Sequence, residues 1–305
     1  MANVLDDLIP DLYDSLQVVS RELVGIIPAV TTSMTADAVA HNQILRVPVT
    51  PASENFDITI GKEPAVDGDE FENIEVKITK FRIAKPILWN GEEELGLGAT
   101  HGGLLANQFT QRMRSLVNEM EADLFYEAIV GARGGNYGLP GVTPFAGGSM
   151  RDFAQLVKLM NDAGAPQTDR QMVLNTTAAA ELRDNSNLFK VSEAGESGLL
   201  RQGVIGRLYN FDIRESAGAR QMGIDTGVYL PNAVFTRDAI LLATRSPAMP
   251  VGGDKAADVT VITDPVSGLS FQVAVYPGYR NRRIEIGAAW GTATVNPQHS
   301  FVLLG

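Results

Sequence analysis

Gly96-Leu-Gly98-Ala-Thr-His-Gly102 has the glycine density of a loop that cradles phosphate. A dinucleotide loop needs G-x-G-x-x-G between a strand and a helix, so that bare backbone can approach the pyrophosphate. Here His101 holds the third glycine's place, and no Lys-Ser/Thr pair follows to make a P-loop. The stretch reads as a hinge leading into a helix. Asp67, Asp69, Glu70 and Glu72 carry oxygens at the density of a calcium loop. An EF-hand needs oxygen ligands at positions 1, 3 and 5 and glycine at 6. Phe71 and Glu72 stand at the last two of these positions, which leaves a solvated acidic turn. Glu92, Glu93 and Glu94 read as a further exposed charge run.

His41, His101 and His299 are too far apart for a local zinc site and have no cysteine beside them. No serine lies in a G-x-S-x-G elbow, and a triad assembled only by folding would leave no such signature. Asn175-Thr-Thr matches a glycosylation acceptor, but without a secretion signal the match carries no weight. Trp89 and Trp290 read as core or interface anchors. Arg280, Arg282 and Arg283 form the densest basic group, just after the turn signal Tyr276-Pro-Gly-Tyr279. Such a group either meets phosphate or pairs with acidic side chains of another subunit, and the overall charge favours the second role. The sequence thus gives no catalytic, cofactor-binding or metal-binding set.

The charge is acidic: 25 Lys and Arg against 36 Asp and Glu, a net charge of −11. Tight nucleic-acid binding draws its affinity from cations that neutralise phosphates, so this balance makes the chain a poor candidate for it and stays compatible with a container that holds DNA without gripping it. Hydrophobic content of 45% in 305 residues allows a substantial core in one large domain or two to three smaller ones. The chain has no cysteine, which excludes disulfides and thiolate metal sites, so stability must come from packing or assembly. No apolar run approaches the ~18–20 residues needed to cross a bilayer. The first residues, with Asp6, Asp7 and Asp11, do not read as a signal peptide.

The elements that must carry these residues follow from periodicity. Residues 3–24 predict an amphipathic helix with Leu12, Leu16, Val19 and Leu23 at steps of four, three and four, closed by Pro28. Residues 44–49 alternate as a strand, with Pro48 marking an edge. Residues 74–83 alternate too, and their phase slips near Thr79–Lys80, which predicts a β-bulge. Two such strands joined by an acidic tip make an extended hairpin, which is marginally stable unless it lies on another surface. Residues 103–130 give the strongest helix, with Leu105, Phe109, Met113, Leu116, Met120 and Leu124 on one face and Arg112, Arg114, Glu121 and Asp123 on the flanks. Helices at 152–163 and 177–185 alternate with strands at 172–175 and 205–213, and an apolar segment follows at 239–243. Strands then follow at 259–262, 269–276, 283–289 and 292–295. The pattern is that of an α+β fold.

Sequence blocks at both ends and along the middle add a resemblance. They are ANVLDDLIPDLYDSLQVVSRELVGIIPAV (2–30), RVPVTPA (46–52), RMRSLVNEMEADL (112–124), LFKVSEAG (188–195), GRLYNFDIRESA (206–217), NAVFTRDAILLATRSP (232–247) and WGTATVNPQHSFVLLG (290–305). In this order they resemble the major capsid (coat) proteins of tailed double-stranded DNA bacteriophages, in the P-twenty-two-like branch. The resemblance implies the Hong Kong 97 type capsid fold, with an N-terminal arm at 1–42 and an E-loop hairpin at 43–98. A P-domain with its long spine helix would take 99–150 and 251–305, and an A-domain 151–250.

The resemblance also implies a function. Subunits would join as hexamers and pentamers into an icosahedral virion shell around phage DNA, assembled in the host cytoplasm. The partners implied are a scaffolding protein, a portal protein, a decoration protein where one is present, and no membrane. Leu12, Leu16, Val19 and Leu23 on the arm, and Phe71, Ile74, Val76 and Ile78 on the E-loop, become intersubunit contacts. The typifying coat carries an inserted domain where only fourteen residues separate Ala217 from Asn232 here, so that insertion is absent. Two rival readings are an encapsulin-type cellular compartment and a soluble oligomeric enzyme.

Overall fold

The computed structural model describes residues 25–49, 60–61, 72–97, 101–146, 150–184, 206–216, 231–249, 255–263 and 269–305. Leu12, Leu16, Val19, Leu23, the acidic Asp67, Asp69 and Glu70, Phe71 and the 188–195 block lie outside these residues. From Gly25 the chain makes a 3-10 turn (Ile27–Ala29) and enters β1 (Thr31–Val39), followed by β2 (Ile44–Val49), β3 (Glu72–Lys77), β4 (Lys80–Ile83) and β5 (Ile87–Asn90). A short helix α1 (Gly91–Leu97) precedes the long α2 (His101–Val130). Next come β6 (Gly135–Tyr137), α3 (Arg151–Asp162), β7 (Arg170–Leu174), α4 (Thr176–Arg183), β8 (Arg207–Leu208) and β9 (Phe211–Glu215). The described chain finishes with β10 (Asn232–Thr236), β11 (Ile240–Pro247), β12 (Asp258–Thr263), β13 (Ser270–Pro277), β14 (Asn281–Thr294) and β15 (Ser300–Leu303).

Two sheets are built from these strands. One runs β1-β11-β14-β13-β12, with β4 and β5 both pairing along β14; the other runs β6-β15-β10-β7-β9-β8. The long helix follows from its apolar face. Leu105, Phe109, Met113, Leu116, Met120 and Leu124 are all buried, in one cluster with Ile284, Ile286, Ala288 and Trp290 of β14. At 1.5 Å per residue its 30 residues span about 45 Å. It ends at Gly131, where a Cβ would stand 2.0 Å from Thr294 Oγ1, so the helix end and the end of β14 touch through a missing side chain. Beneath the second sheet, Phe153, Leu156 and Met160 of α3 and Ala178, Ala179 and Leu182 of α4 make a second core. Asn175 caps α4 by accepting from the Ala178 amide at 2.8 Å, so the asparagine of the glycosylation-like Asn175-Thr-Thr is a buried helix cap.

Two expectations change. Residues 283–289 and 292–294 belong to one fourteen-residue strand, β14, whose alternation is diluted by Gly287 and Gly291. The phase slip near Thr79–Lys80 is a change of partner rather than a bulge within one strand. β3 pairs antiparallel with β2, β4 pairs with β14, and at the junction Ile78 N–H donates to the Gln43 carbonyl. Strand pairing also crosses the proposed domain limits. β1, within 1–42, runs parallel beside β11. β11, within 151–250, pairs with β14, and β15, within 251–305, pairs with β10. Segments 151–250 and 251–305 therefore each supply strands to both sheets, and Val173, Ala233 and Phe235 of the second sheet join the core beneath the first.

Candidate assembly surfaces

The hairpin β2–β3 is the first candidate surface. Antiparallel pairing from Ile44↔Lys77 to Val49↔Glu72 puts Ile44, Arg46 and Pro48 outward and Leu45, Val47 and Val49 inward. The inner residues, with Ile74, are half-buried against Val39, Leu241, Ala243, Ala289 and Val295 of the subunit's own body. Val76 and Ile78 are fully buried in that cluster. Within the single subunit they fasten the hairpin to the body. Ile74 remains half-covered, as do Leu45, Val47 and Val49. Beneath the hairpin's root, Gly291 of β14 lets the backbone of Lys77 pass; a Cβ there would lie 2.2 Å from the Lys77 carbonyl oxygen.

The three arginines are not one basic patch. In β14, Arg283 lies opposite Tyr276 on one strand and Leu88 on the other, while Arg282 lies opposite Pro277 and Trp89. Successive strand residues face opposite sides, so Arg282 and Arg283 serve different faces of the sheet. Arg283 reaches Glu285 at 2.9 Å and lies over the Tyr276 ring, 4.9 Å from its centroid. Arg280, in the turn at a positive φ of 55°, pairs with Glu92 at the start of α1. Two of the three charges are thus met by carboxylates within the chain. Around them an open groove of about 820 Å³ lies between α1 and the β13–β14 turn, with Leu95 and Tyr279 85% and 90% exposed at its rim.

Sequence reasoning missed a third site. Glu121, expected on a solvated flank of α2, is buried. Its Oε1 accepts from the amides of Gly25 and Ile26 at 2.7 and 2.9 Å and from the Ser216 hydroxyl at 2.6 Å. Its Oε2 accepts from the Ile27 amide at 3.2 Å. Burial pushes the carboxyl's pKa up, against the pull of these hydrogen bonds, which favour the ionised form. Gly25 is required at this point, because a Cβ would stand 2.2 Å from the Glu215 carbonyl oxygen. The signal in the sequence was positional. Glu121 interrupts an otherwise apolar helical row formed by Val117, Leu124 and Ala128, all buried.

The histidines are dispersed: His41 stacks on Phe81 with ring centroids 5.2 Å apart, and His299 sits in the turn before β15. Among the described residues, no group of three or more His, Asp or Glu side chains is placed to hold a metal ion. No helix among them is long and apolar enough to cross a membrane.

No family model matches the chain, and no curated protein matches it. Solved structures do. A protein of Mycobacterium phage Che8 is 18% identical with a TM-score of 0.57, and the match covers 89% of this chain and 92% of that one. The capsid of cyanophage P-SCSP1u gives 11% identity and a TM-score of 0.59, with 90% and 86% covered. The virus-like particle from Pyrococcus furiosus gives 13% and 0.54, with 96% and 97% covered. At these identities the likeness speaks of architecture. The chain has the α+β capsid fold of the Hong Kong 97 type, with the long helix against its sheet.

Proposed function

We propose that this chain is the major capsid protein of a tailed bacteriophage, assembling as hexamers and pentamers into an icosahedral shell that encloses double-stranded DNA. The observation that carries the reading is coverage: the match to capsid structures extends over 89–90% of this chain and 86–92% of its counterparts. The ordered sequence blocks support the P-twenty-two-like branch. The arm consists of residues 1–24, since residues 25–39 enter the core and the first sheet. A hairpin whose inner face is only half-covered fits an arm that lies on a neighbouring copy. Scaffolding and portal proteins, and a decoration protein where present, are the further partners, and the site of action is the virion capsid, built in the host cytoplasm.

A cellular compartment of the encapsulin type is the second reading, favoured by the end-to-end match to the archaeal particle. Negative-stain imaging of the expressed chain, with and without its candidate scaffolding protein, tests both. Closed shells are expected. DNA in particles from the native source supports the phage reading, and protein cargo without DNA supports the compartment. A small oligomer of fixed size that forms no shells would overturn both.

The arginine group yields a separate expectation. With two of its charges met in the chain, it offers few free cations for phosphate, and affinity follows the number of phosphates neutralised. The R280A/R282A/R283A triple variant is expected to assemble poorly with no change in DNA affinity. Intact shells with reduced DNA retention, measured over a salt series, would reverse this assignment.

A further inference from the structure

Glu121 stands where three parts of the chain meet: α2, the entry to the body at Gly25–Ile27, and the end of β9 at Ser216. Ser216 is itself fixed, its amide donating to the Leu174 carbonyl at 2.9 Å. All four of the carboxylate's partners are neutral donors, three of them backbone amides, so what it holds is a backbone path rather than a charge. Packing alone would place Ile26 and Ile27, which are buried in the main core. It would not select the orientation of three successive N–H groups. A carboxylate does, because its lone pairs lie in fixed directions and its hydrogen bonds are roughly twice as strong as neutral ones.

We propose that Glu121 is a latch: it fixes the backbone course of Gly25–Ile27, the point from which the preceding segment must continue, and couples that course to the end of β9. On the shell reading above, on which this consequence rests, the latch aims each arm at its neighbour. A side chain deep in one subunit then governs a contact made outside it.

Hydrogen exchange on the full-length soluble chain tests the latch directly. In the unaltered protein the amides of Gly25, Ile26 and Ile27 exchange slowly. Glu121→Gln keeps the size but turns an N–H₂ toward these donors, and their exchange is expected to rise about tenfold or more while β13 and β14 stay unchanged. Ser216→Ala removes one donor and is expected to give a smaller rise at the same amides. If Glu121→Gln does not yield folded protein, Ser216→Ala decides alone. Unchanged exchange at 25–27, or acceleration spread evenly over the whole first sheet, would overturn the latch. Assembly is scored separately: failure of the unaltered chain to form shells while the exchange result holds would refute the shell reading and leave the latch standing.

Discussion

Removing residues 1–24 is expected to leave a folded subunit that no longer closes into shells, whereas removing residues 1–28 is expected to leave no stable subunit. Only four residues separate the two truncations. Ile26 and Ile27 are buried in the main core, and burying an isoleucine side chain is worth about 1.5–3 kcal/mol. The longer cut also strips three donors from the Glu121 carboxylate, and an unsatisfied buried polar group costs about 1–3 kcal/mol, more when charged. Together these losses match much of a typical net stability of about 5–15 kcal/mol. Thermal unfolding and electron microscopy of the two truncations separate the effects. Normal shells from the chain lacking 1–24 would show that the N-terminal segment is not an assembly arm. A cooperative, undiminished melt from the chain lacking 1–28 would contradict the core assignment of Ile26 and Ile27.

Gly291→Ala is the second large effect. The new Cβ would meet the carbonyl oxygen and carbon of Lys77 at 2.2 and 2.8 Å, and backbone atoms cannot swing aside as a side-chain tip would. Either β14 bows or the hairpin root lifts off, and overpacking of this kind costs about 1–3 kcal/mol. The variant should melt several degrees lower, with faster exchange of amides in 72–78. Gly91→Ala is the control, since no atom lies within 4 Å of a Cβ built there. Equal melting temperatures for the two variants would mean that the close passage at Gly291 relaxes without cost.

Period carries the parts of this fold that the sequence revealed. α2 repeats its apolar face six times, so no single residue had to be read correctly, and β2 and β3 alternate cleanly. β1 was not legible. Its sequence, TTSMTADAV, has no apolar alternation, and it is a strand because β11 offers a ladder more than two hundred residues away. The unity of β14 was hidden by Gly287 and Gly291, the second of which serves the backbone of Lys77 that crosses it. Among site residues, the stripe Ile74, Val76 and Ile78 was recognised as adhesive, and within the subunit it lies on the body at Leu241, Ala243 and Ala289. An apolar face states that it will be covered and not by what. Glu121 was missed because a carboxylate on a helix is ordinarily solvated, and its reason for burial comes from Gly25–Ile27 and Ser216, remote in sequence.

The parallel pairing of β1 with β11 has a consequence in time. Thr31 lies beside Leu241, 210 residues later, and at a synthesis rate of about 5–20 residues per second that interval lasts roughly 10–40 s. Throughout it the nascent chain carries the edge of β1 with no β11 to receive it. β4 waits comparably long for β14. Contacts of such high sequence separation make folding slow and leave apolar surface open to other chains. The chain thus passes its most adhesive period before it has a finished shape. The demand for folding assistance falls on the nascent chain, ahead of any encounter between completed copies.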